Sequence, residues 1–281
     1  MRSCETRMVT APRPPDGSGF ARPTAGAGGL RAALNLTAAA LVGSTALVIP
    51  SSYGHARTIS GSSFVLPGDT SDASLLLSNG TGSSTNLNLS GFTYTLSGPL
   101  TTSTNQTLVV STASGPGVFN FSGTSSLTLP SGSPGIIQLS SVVAARVTFN
   151  NSGLINNAVI VSSNSTLNNN SSASINTVSM SGGVFNNAGD VGTLTSSGAG
   201  TTNNSGTIAL YRFGSTAISR LNNNAGGVVT LLDMGPASAP FVQGRGIITN
   251  ALGGTIVTMN QADGTLNNSG LITTLNRSGT G

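Results

Sequence analysis

Past residue 56 the sequence has no cysteine, histidine, lysine, glutamate or tryptophan. Its single cysteine is Cys4 and its single histidine is His55. These absences exclude whole chemistries. Without a base beside a hydroxyl or thiol there is no Ser-His-Asp or Cys-His nucleophile, no lysine catalysis, and no His or Cys metal site. Without disulfides, an exported chain of this size must draw its stability from packing. Charge is scarce too. Six arginines (Arg57, Arg146, Arg212, Arg220, Arg245, Arg277) face five aspartates (Asp69, Asp72, Asp190, Asp233, Asp263), a net of 6 − 5 = +1 beyond residue 56. The +4 of the whole chain therefore belongs largely to its first segment, and no basic patch with interleaved aromatics is left to bind nucleic acid. The aspartates offer little for sugar cleavage. Asp69 and Asp72 read as a turn with two cap-like carboxylates, and Asp190 and Asp263 fall at non-equivalent repeat positions. The Gly-Gly-x-Gly-x-Asp calcium repeat is absent. The expectation is a chain that is not an enzyme, with no catalytic residue, cofactor or metal.

What the sequence does have is a phrase. Phe149-Asn150-Asn151-Ser152-Gly153-Leu154-Ile155 returns as Phe185-Asn186-Asn187-Ala188-Gly189-Asp190-Val191 and as Thr202-Asn203-Asn204-Ser205-Gly206-Thr207-Ile208. It returns again as Leu266-Asn267-Asn268-Ser269-Gly270-Leu271-Ile272, with looser copies at Leu167, Leu221 and Thr249. The starts fall at 149, 167, 185, 202, 221, 249 and 266, so the steps are 18, 18, 17, 19, 28 and 17. A fixed period predicts a stacked, one-dimensional fold. Asn, Gly, Ser and Thr are poor helix formers, and the apolar residues between phrases alternate as in strands. The fold expected is all-β: a parallel β-helix, or β-solenoid, with coils of about 18 residues rising ~4.8 Å each. Phe149, Leu167, Phe185, Leu221 and Leu266 would stack as one inward column, and Ile155, Ile175, Val191, Ile208 and Ile272 as a second. Asn-Asn-small-Gly is read as turn chemistry, with the asparagines stacking into amide ladders.

The chain divides into three parts. Residues 1–56 carry five arginines in the first 31 positions, an apolar run from Leu36 to Ile49 and a small-residue end, Gly54-His55-Ala56. This is the pattern of a signal peptide with an extended basic region, cleaved after Ala56. Residues 57–148 are Ser/Thr/Gly-rich and lack the phrase, so irregular N-terminal β coils and a cap are expected there. Residues 149–281 are the repeat β-helix, with an insertion between Val229 and Thr249 and a C-terminal end that stops in mid-rhythm at Arg277–Gly281. That end suggests a truncated solenoid, a piece of a longer chain or a gene that stops early.

A long basic signal, a cysteine-free Ser/Thr/Asn/Gly-rich body and Asn-Asn-Ser-Gly-x-Ile coils resemble the passenger region of bacterial autotransporters, the type V secretion proteins. The resemblance covers the signal and residues 149–281, and 57–148 by composition alone. It implies export through the periplasm, passage through an outer-membrane β-barrel translocator, and a place at the cell surface or outside it, in adhesion or aggregation. The translocator barrel is missing from this sequence. The partners implied are glycans, host matrix or like molecules. Tyr211, Arg212, Phe213, Phe241 and Arg245, gathered around the insertion, are the candidate ligand contacts. Two rival readings remain open. One is a self-associating, amyloid-like matrix protein, favoured by Asn-rich coils of low charge. The other is a carbohydrate-active β-helix enzyme dependent on Asp233 or Asp263.

Overall fold

The computed structural model describes residues 55–79, 84–102, 107–127, 135–141, 146–214, 218–234, 246–262 and 264–278. Every regular element among them is a strand, and each strand pairs in parallel with its counterpart one coil away. The chain is a parallel β-helix. Each coil passes through three faces. The first face stacks Thr93–Leu96, Gly117–Phe121, Val147–Asn151, Ser165–Asn169, Val184–Asn187, Thr201–Asn204, Arg220–Asn223, Ile247–Asn250 and Thr265–Asn268. The second face is short and includes Leu100–Thr102 and Thr124–Ser126. The third begins with Ser63–Val65, Ser84–Asn88, Thr107–Thr112 and Ile136–Ser141.

From residue 154 onward, bent strands cover the second and third faces together: Leu154–Val161, Ser174–Met180, Asp190–Ser196, Thr207–Phe213, Val228–Asp233, Thr255–Gln261 and Leu271–Arg277. The bend is a break in register. Ile155 pairs with Ile175 and Ala158 with Thr177, so Asn156 and Asn157 stand opposite Asn176 alone, as in a β-bulge. Asn157 is buried there and is not part of the repeated phrase. Its Oδ1 accepts from the Ser125 hydroxyl at 2.8 Å and the Leu127 N–H at 3.1 Å, while its Nδ2 donates to the carbonyls of Leu127 (2.6 Å) and Gly135 (3.2 Å). One amide thus satisfies backbone on both sides of residues 128–134.

Alternation sends every second side chain inward. The inward column on the first face runs Phe119, Phe149, Leu167, Phe185, Thr202, Leu221, Ile248 and Leu266. Ser125, Ile155, Ile175, Val191, Ile208, Val229, Ile256 and Ile272 form the second. Both are the columns that the period implies, with Thr202 breaking the first. Its hydroxyl lies 3.4 Å from that of Tyr211, which enters the core of the same coil from the third face. A small residue on one face thus makes room for a large one on another, keeping the interior close-packed.

The phrase itself sits differently from expectation. Its asparagines are not in the turn: Asn150-Asn151, Asn186-Asn187 and Asn203-Asn204 end strands of the first face. Nor does its glycine supply a left-handed turn. A Cβ on Gly153, Gly189 or Gly206 would lie 2.0–2.2 Å from a backbone carbonyl oxygen of the coil beneath. Glycine is there because stacked turns leave no room for a side chain. Positive φ occurs instead in the longer turns, at Gly226 (82°) and Gly253 (83°). There Asn224 and Ala251 accept from the N–H three residues on, both at 2.9 Å, as in a type II turn.

The strands of residues 57–148 join the same stack in all three faces, but no asparagine occupies the inward column that the phrase fills from Asn151 on. Asp72, expected in a turn, is buried in the strand Thr70–Leu77. It is ion-paired with Arg57 and accepts from the Tyr94 hydroxyl at 2.8 Å. Arg57 also lies over the Phe64 ring, 4.8 Å from its centre. Burial, and then the neighbouring carboxylate, push the Tyr94 phenol well above its ordinary range. Asp69 does sit in the turn, where it accepts the Thr93 N–H at 2.8 Å and ties two coils. The insertion expected between Val229 and Thr249 falls between Val228–Asp233 and Ile247–Asn250, and its residues 235–245 lie outside the described residues.

Candidate functional site

The most organised polar surface grows from the doubled asparagine. Neighbouring strand residues point to opposite sides, so each Asn-Asn pair feeds two ladders. The inner ladder is buried. Asn151, Asn169, Asn187, Asn204 and Asn223 each donate Nδ2–H to Oδ1 of the next asparagine at 2.8 Å, and Asn250 continues to Asn268 at 2.7 Å. Backbone fixes its polarity, because the same Nδ2 groups also donate to carbonyls such as Gly189 (3.0 Å, from Asn187) and Thr255 (3.1 Å, from Asn223). Polar groups this deep are tolerable only because each is paired.

The outer ladder is half-buried and runs the opposite way. Asn150, Asn168, Asn186, Asn203 and Asn222 each donate back to the previous member, beginning with Asn120, at 2.7–2.8 Å. It stops at Thr249, which takes the next place in register. A side-chain amide has two N–H donors and two carbonyl lone pairs. A ladder member bonded on both sides uses one of each, leaving one donor and one acceptor for another molecule.

A groove of about 280 Å³ follows this ladder. Turn lengths shape it. Ala188-Gly189 and Ser205-Gly206 are short connections, flanked by the longer turns that start at Asn170 and Asn224. Ala188 and Ser205 line its middle, and Asn170 and Asn224 stand at its two ends. No charged side chain lines it. What it presents is a row of amide donors and acceptors at coil spacing, ~4.8 Å.

Of the candidate contacts from the sequence, Tyr211, Arg212 and Phe213 are among the described residues. Tyr211 and Phe213 face inward in the strand Thr207–Phe213, at 0% and 7% exposure, so neither is a surface contact. Their parity is that of Leu194 and Ser196 in the coil beneath, which are buried too. The two rings pack on each other with centres 4.7 Å apart, and burial pushes the Tyr211 phenol up to about 12. Arg212 alone points outward, with its Nε 4.0 Å from a carboxylate oxygen of Asp233. Phe241, Arg245 and Asp263 lie outside the described residues. Ala56 is exposed in the strand His55–Ile59, and the basic and apolar segment before it, residues 1–54, lies outside the described residues. Among the described residues no cluster of three or more His, Cys, Asp or Glu could hold a metal ion. The groove was missed because its signal is in turn lengths, not in any reactive residue type.

Fold and surface together define a class: a parallel β-solenoid with an uncharged, amide-lined groove on one corner. No protein-family model, curated protein or solved structure matches this chain.

Proposed function

We propose that this chain is a non-enzymatic passenger of an autotransporter-like protein, exported through the periplasm and displayed at or beyond the cell surface, where it binds glycans or a glycan-bearing matrix. The observation that carries this reading is the outer asparagine ladder with its groove. Amides with one free donor and one free acceptor each match the hydroxyls of a saccharide, which also donate and accept without charge. The stiff stack holds these groups in place, so little ordering entropy is lost on binding. Many weak contacts along a rod then add through multivalency. Arg212, on the third face, does not line the groove, whereas Asn168 and Asn186 do.

The test is a binding screen of the purified full chain against neutral oligosaccharides, with the Asn168→Ala/Asn186→Ala double variant in parallel. We expect retention of at least one neutral glycan class, weakened about tenfold in the variant by loss of two or more hydrogen bonds, with no shortened sugar product. Equal binding by both proteins, or release of cleaved sugar, would overturn the reading.

A further inference from the structure

A second groove, of about 350 Å³, lies at the corner where the third face passes into the first. It is lined on one side by Arg146, which precedes Val147–Asn151, and along its length by Ser163, Asn164 and Thr166. Val147 pairs with Ser165, which places Arg146 one coil below Asn164. Asn164 adopts a left-handed φ of 61° in the turn that Ser165 closes onto the Ser162 carbonyl. Above it Gly183 and Ala199 keep the corner low.

Two features set this groove apart. The exposed Arg146 side chain makes no ion pair or hydrogen bond among the described residues, whereas Arg57 and Arg212 are held by Asp72 and Asp233. No carboxylate lines the groove. A guanidinium with hydroxyls around it and no acid nearby is a receptor for a planar or tetrahedral oxyanion.

We propose that this corner is an anion subsite for an acidic saccharide. Arg146 binds the carboxylate of a uronate or the ester sulfate of a sulfated sugar, and the hydroxyls of Ser163 and Thr166 take ring hydroxyls. The inference rests on the glycan-binding reading above and adds the charge class that reading lacks.

Titration calorimetry of the full chain tests it with four probes: an oligogalacturonate, its methyl ester of equal length, a sulfated oligosaccharide, and inorganic sulfate. The oligogalacturonate or the sulfated sugar is expected to bind at least about tenfold more tightly than the neutral ester, as a charge-assisted bond predicts, and to weaken as salt rises. Arg146→Ala is expected to remove that advantage and Arg277→Ala to keep it. Ala199→Glu, which sets a carboxylate in the groove, is expected to act like Arg146→Ala with unchanged circular dichroism. The proposal is overturned if Arg146→Ala and Ala199→Glu bind acidic sugars as the parent does, or if ester and acid bind alike. Sulfate alone binding as tightly as the sugars would also overturn it, leaving a small-anion site. If the neutral ester is retained through Asn168 and Asn186 while acid brings no gain, this inference alone falls. If no sugar binds, the glycan reading falls with it.

Discussion

One inward column is built in two ways along the rod. Near the N-terminus it passes through Asp72, Leu96 and Phe121, and from there it is asparagine: 151, 169, 187, 204, 223, 250 and 268. The first region packs rings. Tyr94, Phe119 and Phe149 follow one another up the stack with centres 5.2 and 4.7 Å apart, and Phe121 leans on the last two. The second region stacks amides. Apolar packing is non-directional and tolerates coils of uneven length, whereas an amide ladder demands an identical position in every coil. Where the amides are, successive members lie 17–19 residues apart except from Asn223 to Asn250, which lie 27 apart. The ladder nonetheless crosses the longest of its own coils, from Asn223 to Asn250 over 27 residues, with the same 2.8 Å bond.

Substitutions can break that contrast. The largest effect is expected for Phe119→Ala, which opens a void among three rings and should cost about 3–5 kcal/mol in denaturant unfolding. Asn187→Ala comes next. It leaves a donor on Asn169 and an acceptor on Asn204 without partners in the interior, and should cost about 2–4 kcal/mol despite removing few atoms. Asn151→Leu sharpens the boundary. Its neighbour below is Phe121, so only the bonds to Asn169 and to its own turn are lost, and we expect about 1–2 kcal/mol. A loss as large as that of Asn187→Ala would show that the ladder has no privileged end.

The smallest effect at neutral pH is an alkaline one. Tyr211 has its folded-state value raised from 10.0 to about 12, and Tyr94 is raised as well. A group whose neutral form is favoured by folding contributes stability below its unfolded value, and that contribution is lost as pH rises through the folded one. Stability should be flat up to about pH 10 and then fall by about 1.4 kcal/mol per pH unit for each tyrosine until its folded value is passed. Tyr211→Phe should reduce that slope in thermal melts, and an unchanged slope would assign the alkaline loss to the N-terminal coils.

The sequence shows some of this directly and hides the rest for identifiable reasons. The period of Phe149, Leu167 and Phe185 places the first column, because a side chain repeated at one coil length has one place to go. The ladders follow from the doubled asparagine by the same logic. Alternation also carries the correct positions of Tyr211, Arg212 and Phe213, but their chemical types suggest a contact surface, and type misleads where parity decides. Asp72 was hidden because its partners, Arg57 and Tyr94, lie 15 and 22 residues away in coils that do not repeat. The role of the phrase glycine was hidden too. Its reason is a carbonyl 2.0–2.2 Å from where its Cβ would be, in a different coil.

The asparagine coils are nearly interchangeable. A whole-coil slip during folding would still match Asn with Asn and an apolar residue with an apolar one, so the ladder holds a register firmly without being able to choose it. The ring stack is different in every coil, and only one pairing places Tyr94 under Phe119, Phe119 under Phe149 and Arg57 beside Asp72. The N-terminal coils thus act as the address from which the rest is counted. A chain deprived of them would be expected to close into several stacks of equal bonding and unequal alignment.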